Sequence, residues 1–186
     1  MFTPLIQFGS QAFSLYALLL ILVAASAAFL GLRVVAREQG SRISWSFFGL
    51  TSLTAWWLAG RALSSSAPDP TMAFAWVRLS YIAEPLLPVA MVHFARIAAG
   101  RERNGRRLAM AGWSLAAVLV FLSLMTDVIL TGVWNYDWGY FPRYGPGAFL
   151  FVAFAAAMCS TSVYVFVSSA RSLPPGRRRR RLTLFA

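Results

Sequence analysis

Hydrophobic and polar positions in this chain do not alternate at a strand or amphipathic-helix period. Apolar residues run together in five long blocks, at about residues 12–32, 43–63, 71–97, 108–130 and 148–170. About 20 residues rising 1.5 Å each cross the roughly 30 Å hydrocarbon core of a bilayer, so each block predicts a transmembrane helix. Polar, helix-breaking segments separate them: Ser64-Ser65-Ser66-Ala67-Pro68-Asp69-Pro70 after the second block, and the basic stretch Ala99 to Arg107 after the third. The third block is the least uniform, holding Arg78, Glu84, Pro85, Pro88 and His93. Each proline removes a backbone donor, which predicts a kinked helix whose freed carbonyls are satisfied by neighbours. The fifth block leads through Arg171 and a Pro-Pro-Gly segment to Arg177–Arg181, and Leu182–Ala186 reads as the start of another apolar run.

The longest stretch that cannot form a regular helix in hydrocarbon is Trp134 to Gly147, between the fourth and fifth blocks. It holds two prolines, three glycines and two opposite charges, Asp137 and Arg143, yet six of its residues are aromatic. Rings with a polar handle belong at the membrane–water boundary. The expectation is a structured loop lying on a membrane surface.

Composition strengthens this picture. The chain is 59% hydrophobic and only 12% charged, where a soluble domain would be about a quarter charged. The fold class expected is all-α, a polytopic membrane helix bundle of about five transmembrane helices, forming a single domain over residues 1–186. Every basic residue is arginine, which reflects genome composition rather than chemistry. A net charge of +11 would suit nucleic acid, but the arginines cluster between the apolar blocks rather than along one face, so no nucleic-acid partner is expected. They sort by side instead. Arg33, Arg37 and Arg42, then Arg96, Arg101, Arg103, Arg106 and Arg107, then Arg171 and Arg177–Arg181 fall on one side of a five-span chain; Arg61, Arg78 and Arg143 fall on the other. The excess marks the cytoplasmic face, so the N-terminus and the aromatic loop are expected outside and the C-terminus inside. No basic residue precedes the first block, so it reads as a true span and not as a secretory signal.

No catalytic constellation emerges, and the chain is read as a non-enzyme without a cofactor or metal. The one histidine, His93, has no partners in sequence for a metal site or a nucleophilic triad. It could ligate a haem or a pigment magnesium only on the strength of its residue type, and a packing role is the plainer reading. The one cysteine, Cys159, lies inside an apolar block and reads as a packing residue. Glu84 is more informative: a carboxylate about half-way along a span is costly and normally faces the bundle interior with a partner. Arg78, six residues earlier, does not share its helical face, so the partner is expected from another helix, Arg61 or Tyr164. Two readings fit Glu84. One is an outward-opening polar ligand pocket lined by Glu84 and Arg78 with Arg61 and Asp127; the other is a satisfied structural carboxylate beside two prolines. Small residues four apart, Ala24 with Ala28, Ala153 with Ala157 and Ala156 with Ser160, would let helices approach closely. Arg177–Arg181 would hold anionic lipid as a polybasic segment, or serve only as a topogenic signal.

Three features together resemble the N-terminal seven-transmembrane sensor region that precedes bacterial histidine kinases and diguanylate cyclases. They are Trp76-Val77-Arg78-Leu79-Ser80-Tyr81-Ile82 with Pro85, Pro88 and His93-Phe94; Thr126-Asp127 followed by Trp138 to Pro146; and the basic connection from Arg171 to Arg181. Glu84 departs from the family pattern, which places an apolar or small residue there. By the resemblance a sixth span would begin near Leu182, and an output domain would follow in a longer receptor. The resemblance implies a sensor of the bacterial inner membrane that binds an unknown small ligand at the outer face. Glu84, Arg78, Trp134, Trp138, Tyr140, Arg143 and Tyr144 are the expected recognition residues, and the partners expected are the lipid bilayer and a second copy or other membrane subunits. The alternative is a non-catalytic accessory subunit of a larger respiratory or photosynthetic membrane complex.

Overall fold

The apolar blocks fold largely as helix, and the first three helices start at a serine or aspartate cap. In a computed structural model, residues 6–8, 11–38, 40–101 and 106–171 are described; of residues 6–8, 11–13 and 106 only the backbone is. A short hairpin, β1 (Ile6–Phe8) with β2 (Gln11–Phe13), leads into α1 (Leu15–Arg37), so the first helix begins slightly later than the apolar block. Then follow α2 (Arg42–Ser65), α3 (Pro70–Ser80), α4 (Leu86–Ala98) and α5 (Arg106–Met125), the hairpin β3 (Leu130–Tyr136) and β4 (Gly139–Tyr144), and α6 (Ala148–Arg171). Ser14, Ser41 and Asp69 cap α1, α2 and α3 by accepting from the N–H groups of Ala17, Ser44 and Met72, and Pro70 occupies the first turn of α3 where no N–H is needed. The fold is mostly helical.

Burial is inverted relative to a water-soluble protein. Large apolar side chains are exposed all along α1, α5 and α6, among them Leu22, Phe29, Phe121, Phe149 and Val152. Small and hydroxyl side chains are inside: Ser44, Ser64, Ser80 and Ser123 are fully buried. Their hydroxyls donate to backbone carbonyls, as Ser80 to Val77 and Ser123 to Leu119, so none of these four is left bare. Tight approach through small residues with polar groups satisfied internally is how helices pack where hydrocarbon is the solvent. Helices α1, α5 and α6 are each long and apolar enough to cross a membrane. Helix α2 has 24 residues but is more polar, and α4 is a shorter apolar helix.

Helix α1 packs along α2, α2 along α3 and α4, and α4 against α5 and α6, so α2 and α4 form the middle of the bundle. Glycine sets the closest approach: a Cβ on Gly60 would lie 2.6 Å from that of Ser80, which holds α2 against α3. Val77, Tyr81, Val89, Leu119, Leu130 and Phe154 form the main apolar core. Ala24 is buried as a packing contact should be. Ala153, Ala156, Ala157 and Ser160 are exposed, contrary to expectation, because α6 turns Phe151, Phe154, Met158 and Ser162 inward instead.

Two further expectations are corrected. The third block is not one kinked helix but two, joined by residues 81–85. Pro85 has no N–H, and its ring opposes the carbonyl four residues back. The backbone therefore tightens to three-residue turns, Ile82 N–H to Leu79 and Ala83 N–H to Ser80, and restarts at Leu86 with Pro88 in the first turn, where its missing donor costs nothing. The indole N–H of Trp56 reaches the Leu79 carbonyl at 2.9 Å and ties the break to α2. The fourth block likewise leaves the helix at Met125, so Asp127 sits in a turn rather than near a helix end.

The aromatic segment is not an irregular loop but an antiparallel hairpin, with Trp134 opposite Phe141 and Tyr136 opposite Gly139. Pro142 is tolerated because a two-stranded ribbon has free edges. Gly139 is required twice over: its φ is +130°, and a Cβ there would run into the Ser65 carbonyl at the end of α2. Beyond the hairpin, the N–H groups of Gly145 and Gly147 return to the carbonyls of Ile129 and Val128, both at 2.8 Å.

Candidate ligand site at the hairpin end of the bundle

The break at 81–85 places Glu84 in a non-helical turn beside α2, at the end of the bundle that carries the β3–β4 hairpin. Helix spacing then builds the surroundings. Trp57 and Arg61, four apart on α2, turn toward the Glu84 carboxylate, and Tyr81 approaches it from the same turn. Tyr16 and Leu20, four apart on α1, form the opposite wall. Phe141 and Tyr144 of β4 come over the top. Together they enclose a cavity of about 200 Å³.

Its electrostatics are those of an incomplete polar cluster. Arg61 stands over the Phe141 ring at 4.8 Å, an arrangement that favours a cation on a ring face. Glu84 is half-buried, and Arg61 is its nearby positive charge. The Trp57 indole N–H and the Tyr81 hydroxyl approach the Glu84 carboxylate without closing to full hydrogen-bond geometry, and the Arg61 Nη1 is buried without a hydrogen-bond partner. Buried donors left unpaired are costly. Trp57 and Arg61 line the cavity beside the Glu84 carboxylate, an arrangement suited to a small molecule with acceptor atoms, with Glu84 offering one further acceptor.

Of the residues expected from sequence, Glu84 and Tyr144 meet in this cavity, and Arg61 is the partner that Glu84 finds. Tyr164 is not, being exposed on α6. Arg78 and Asp127 lie apart from it. Arg78 Nη2 meets Asp127 Oδ1 at 2.6 Å, its Nη1 donates to the Leu124 carbonyl at 3.2 Å, and its guanidinium covers Phe74. That arrangement ties α3 to the end of α5 and leaves Arg78 no role in the cavity. Arg143 stacks on Trp134 at 4.8 Å on the hairpin itself. Trp138 stacks on Tyr136 at 5.4 Å and meets Tyr16 edge-on, so it braces the hairpin tip against α1. Tyr140 is half-buried opposite Asn135 and does not line the cavity. Trp57, Tyr81 and Tyr16 were missed; the signal available was the four-residue spacing of Trp57 and Arg61 and the three-residue spacing of Tyr81 and Glu84. Arg177–Arg181 lie outside the described residues. His93 is exposed at the far end of the bundle, its ring edge-on to Trp113.

Among known families, the one described as the N-terminal 7TM region of histidine kinase matches residues 16–186. No curated protein and no solved structure matches the chain.

Proposed function

Because the chain belongs to the family of N-terminal 7TM regions of histidine kinases, a membrane sensor module of signal transduction, we propose that it senses a small polar ligand at its outer face and signals through its cytoplasmic end. The observation that carries this reading is the cavity at the helix break. It joins a carboxylate, an arginine and an indole N–H under a hairpin that closes against α2. Orientation follows from charge: Arg61, Arg78 and Arg143 share the hairpin end, whereas Arg33, Arg37, Arg42, Arg96, Arg101, Arg107 and Arg171 are at the other, which is the cytoplasmic end by the positive-inside rule. In this reading five spans lie in the bacterial inner membrane, α3 and α4 together making one broken span, and lipid covers the exposed faces of α1, α5 and α6.

The test places the module before a histidine-kinase output with a transcriptional reporter and compares wild type with Glu84→Gln and Arg61→Gln. Each variant should change the reporter's resting level or its response to growth medium, with insertion unchanged by protease mapping at Arg143. A reporter that behaves identically in all three would remove the cavity from the sensing role.

A further inference from the structure

A second, larger cavity of about 600 Å³ lies at the opposite end of the bundle, between α2, α4 and α5. Its lining changes character with depth. Arg42, in the first turn of α2, and Arg96, in the last turn of α4, stand at the bundle end with His93; none of the lining residues is acidic. Trp45 and Trp113 flank it, both partly exposed. From there the α2 face continues through Gly49 and Leu50 to Leu53. Those 11 residues of helix from Arg42 carry the wall about 16 Å along the axis, from the charged end to hydrocarbon depth.

A soluble anion would need a short cradle that is polar on all sides. This cavity instead grades from guanidinium through indole to leucine, which is the profile of a phospholipid read from phosphate to acyl chain. Arg96 is only 7% exposed, so its charge is held below the surface where a ligand entering the cavity would meet it. Arg42 and Arg96 each also have a contact within the protein, and a phosphodiester would add to those contacts without needing to replace them. The cavity opens at the end that carries Arg33, Arg37, Arg101 and Arg107, the end expected against the negatively charged leaflet surface. We propose that this cavity between α2, α4 and α5 is a binding site for one anionic phospholipid, its phosphate held by Arg42 and Arg96 and its upper acyl region against Leu50 and Leu53. The site is distinct from the polybasic run at Arg177–Arg181 and from the Glu84 cavity.

The experiment uses the full chain in detergent micelles and then in nanodiscs, with native mass spectrometry counting retained lipid. Phosphatidylglycerol is the probe, phosphatidylcholine the neutral reference and inorganic phosphate the soluble competitor. Wild type should retain one phosphatidylglycerol over phosphatidylcholine. Arg42→Gln with Arg96→Gln should weaken that retention about 30-fold, at roughly fivefold per arginine. Arg37→Gln with Arg107→Gln, which removes two exposed charges from the same end outside the cavity, should leave retention within about twofold. Leu53→Trp fills the apolar depth without changing charge and should also displace the lipid, which covers the case in which the arginine variant does not fold. The proposal is overturned if the two arginine pairs lower retention equally, since the effect is then diffuse surface charge. It is equally overturned if inorganic phosphate at millimolar concentration competes the lipid away while Leu53→Trp has no effect, since the occupant is then a soluble anion.

Discussion

Replacing Gly139 by alanine should release the β3–β4 hairpin while sparing the helices, and its size follows from two separable terms. At φ of +130° a Cβ is strained, at about 1–2 kcal/mol for an L residue in a positive-φ conformation. The same Cβ would strike the Ser65 carbonyl oxygen and stand 3.0 Å from both its carbonyl carbon and the Ser65 Cβ. That partner is backbone at the end of a 24-residue helix and cannot rotate away, so the overpacking term is about 1–3 kcal/mol. Together they come to about 2–5 kcal/mol against docking. Gly132 separates the two: its φ is +153°, and a Cβ there meets nothing within 4 Å. Gly132→Ala therefore carries the backbone strain alone.

Trypsin reports the result, because Arg143 is exposed on β4 while Arg61 and Arg78 sit in helices. Cleavage at Arg143 requires the strand to open, and in the regime where opening is fast its rate follows the open population. A penalty of about 2–5 kcal/mol raises that population about 30-fold or more, whereas Gly132→Ala, at about 1–2 kcal/mol, should raise it about five- to 30-fold. Equal cleavage rates for Gly139→Ala and Gly132→Ala would refute the close approach to Ser65 as the hairpin's anchor.

The Arg78 contacts rank in a testable order. Asp127 is 73% exposed, so Asp127→Asn should cost less than about 1 kcal/mol and that cost should vanish in high salt, whereas Arg78→Ala also loses the Leu124 carbonyl and the Phe74 ring and should lower the unfolding midpoint in detergent further. A salt-independent loss in Asp127→Asn would contradict this. Gly60→Ala brings a methyl to 2.6 Å from Ser80 Cβ and should cost about 1–3 kcal/mol by the same thermal assay; a neutral result would mean that α2 and α3 are free to part.

What could be read from the sequence was what depends on local composition. Apolar runs and serine or aspartate caps are one-dimensional signals, and the helices appear where those signals lie. The pairing of Glu84 with Arg61 was also within reach, because a carboxylate inside a span demands a partner and few cations are available at that depth. Three things were not legible. Pro85 announced a disturbance, but whether a helix bends or stops depends on contacts with its neighbours, and here the Trp56 indole of another helix holds the Leu79 carbonyl at the break. The hairpin's pairing depends on a register set by Gly139 against Ser65, 74 positions away in the chain. Arg78 belonged with Asp127 rather than with Glu84 because the end of α5 unwinds early and turns Asp127 back toward α3. Each miss concerns a contact between distant segments, and each decides which residues share the cavity.

The break before α4 also bears on how the two ends of the bundle communicate. Glu84 lies two residues before α4 and Arg96 lies in its last turn, with Leu86 to Arg96 spanning about 15 Å of helix. Helix α4 packs on α2, α5 and α6, and the non-helical turn at 81–85 separates it from α3. A ligand in the Glu84 cavity would shift α4 only by the difference in its affinity for two positions, and couplings of this kind usually amount to about 1–3 kcal/mol, roughly five- to 150-fold. Because such coupling is reciprocal, it would be read at the cavity at the other end of α4 without knowing that ligand. Glu84→Gln, which alters the charge at the head of α4, should change phosphatidylglycerol retention by about fivefold or more, and combining it with Gly60→Ala should alter that change, because the second substitution disturbs the α2–α3 contact against which α4 moves. Retention unaffected by Glu84→Gln would mean that α4 is a static wall shared by two independent cavities.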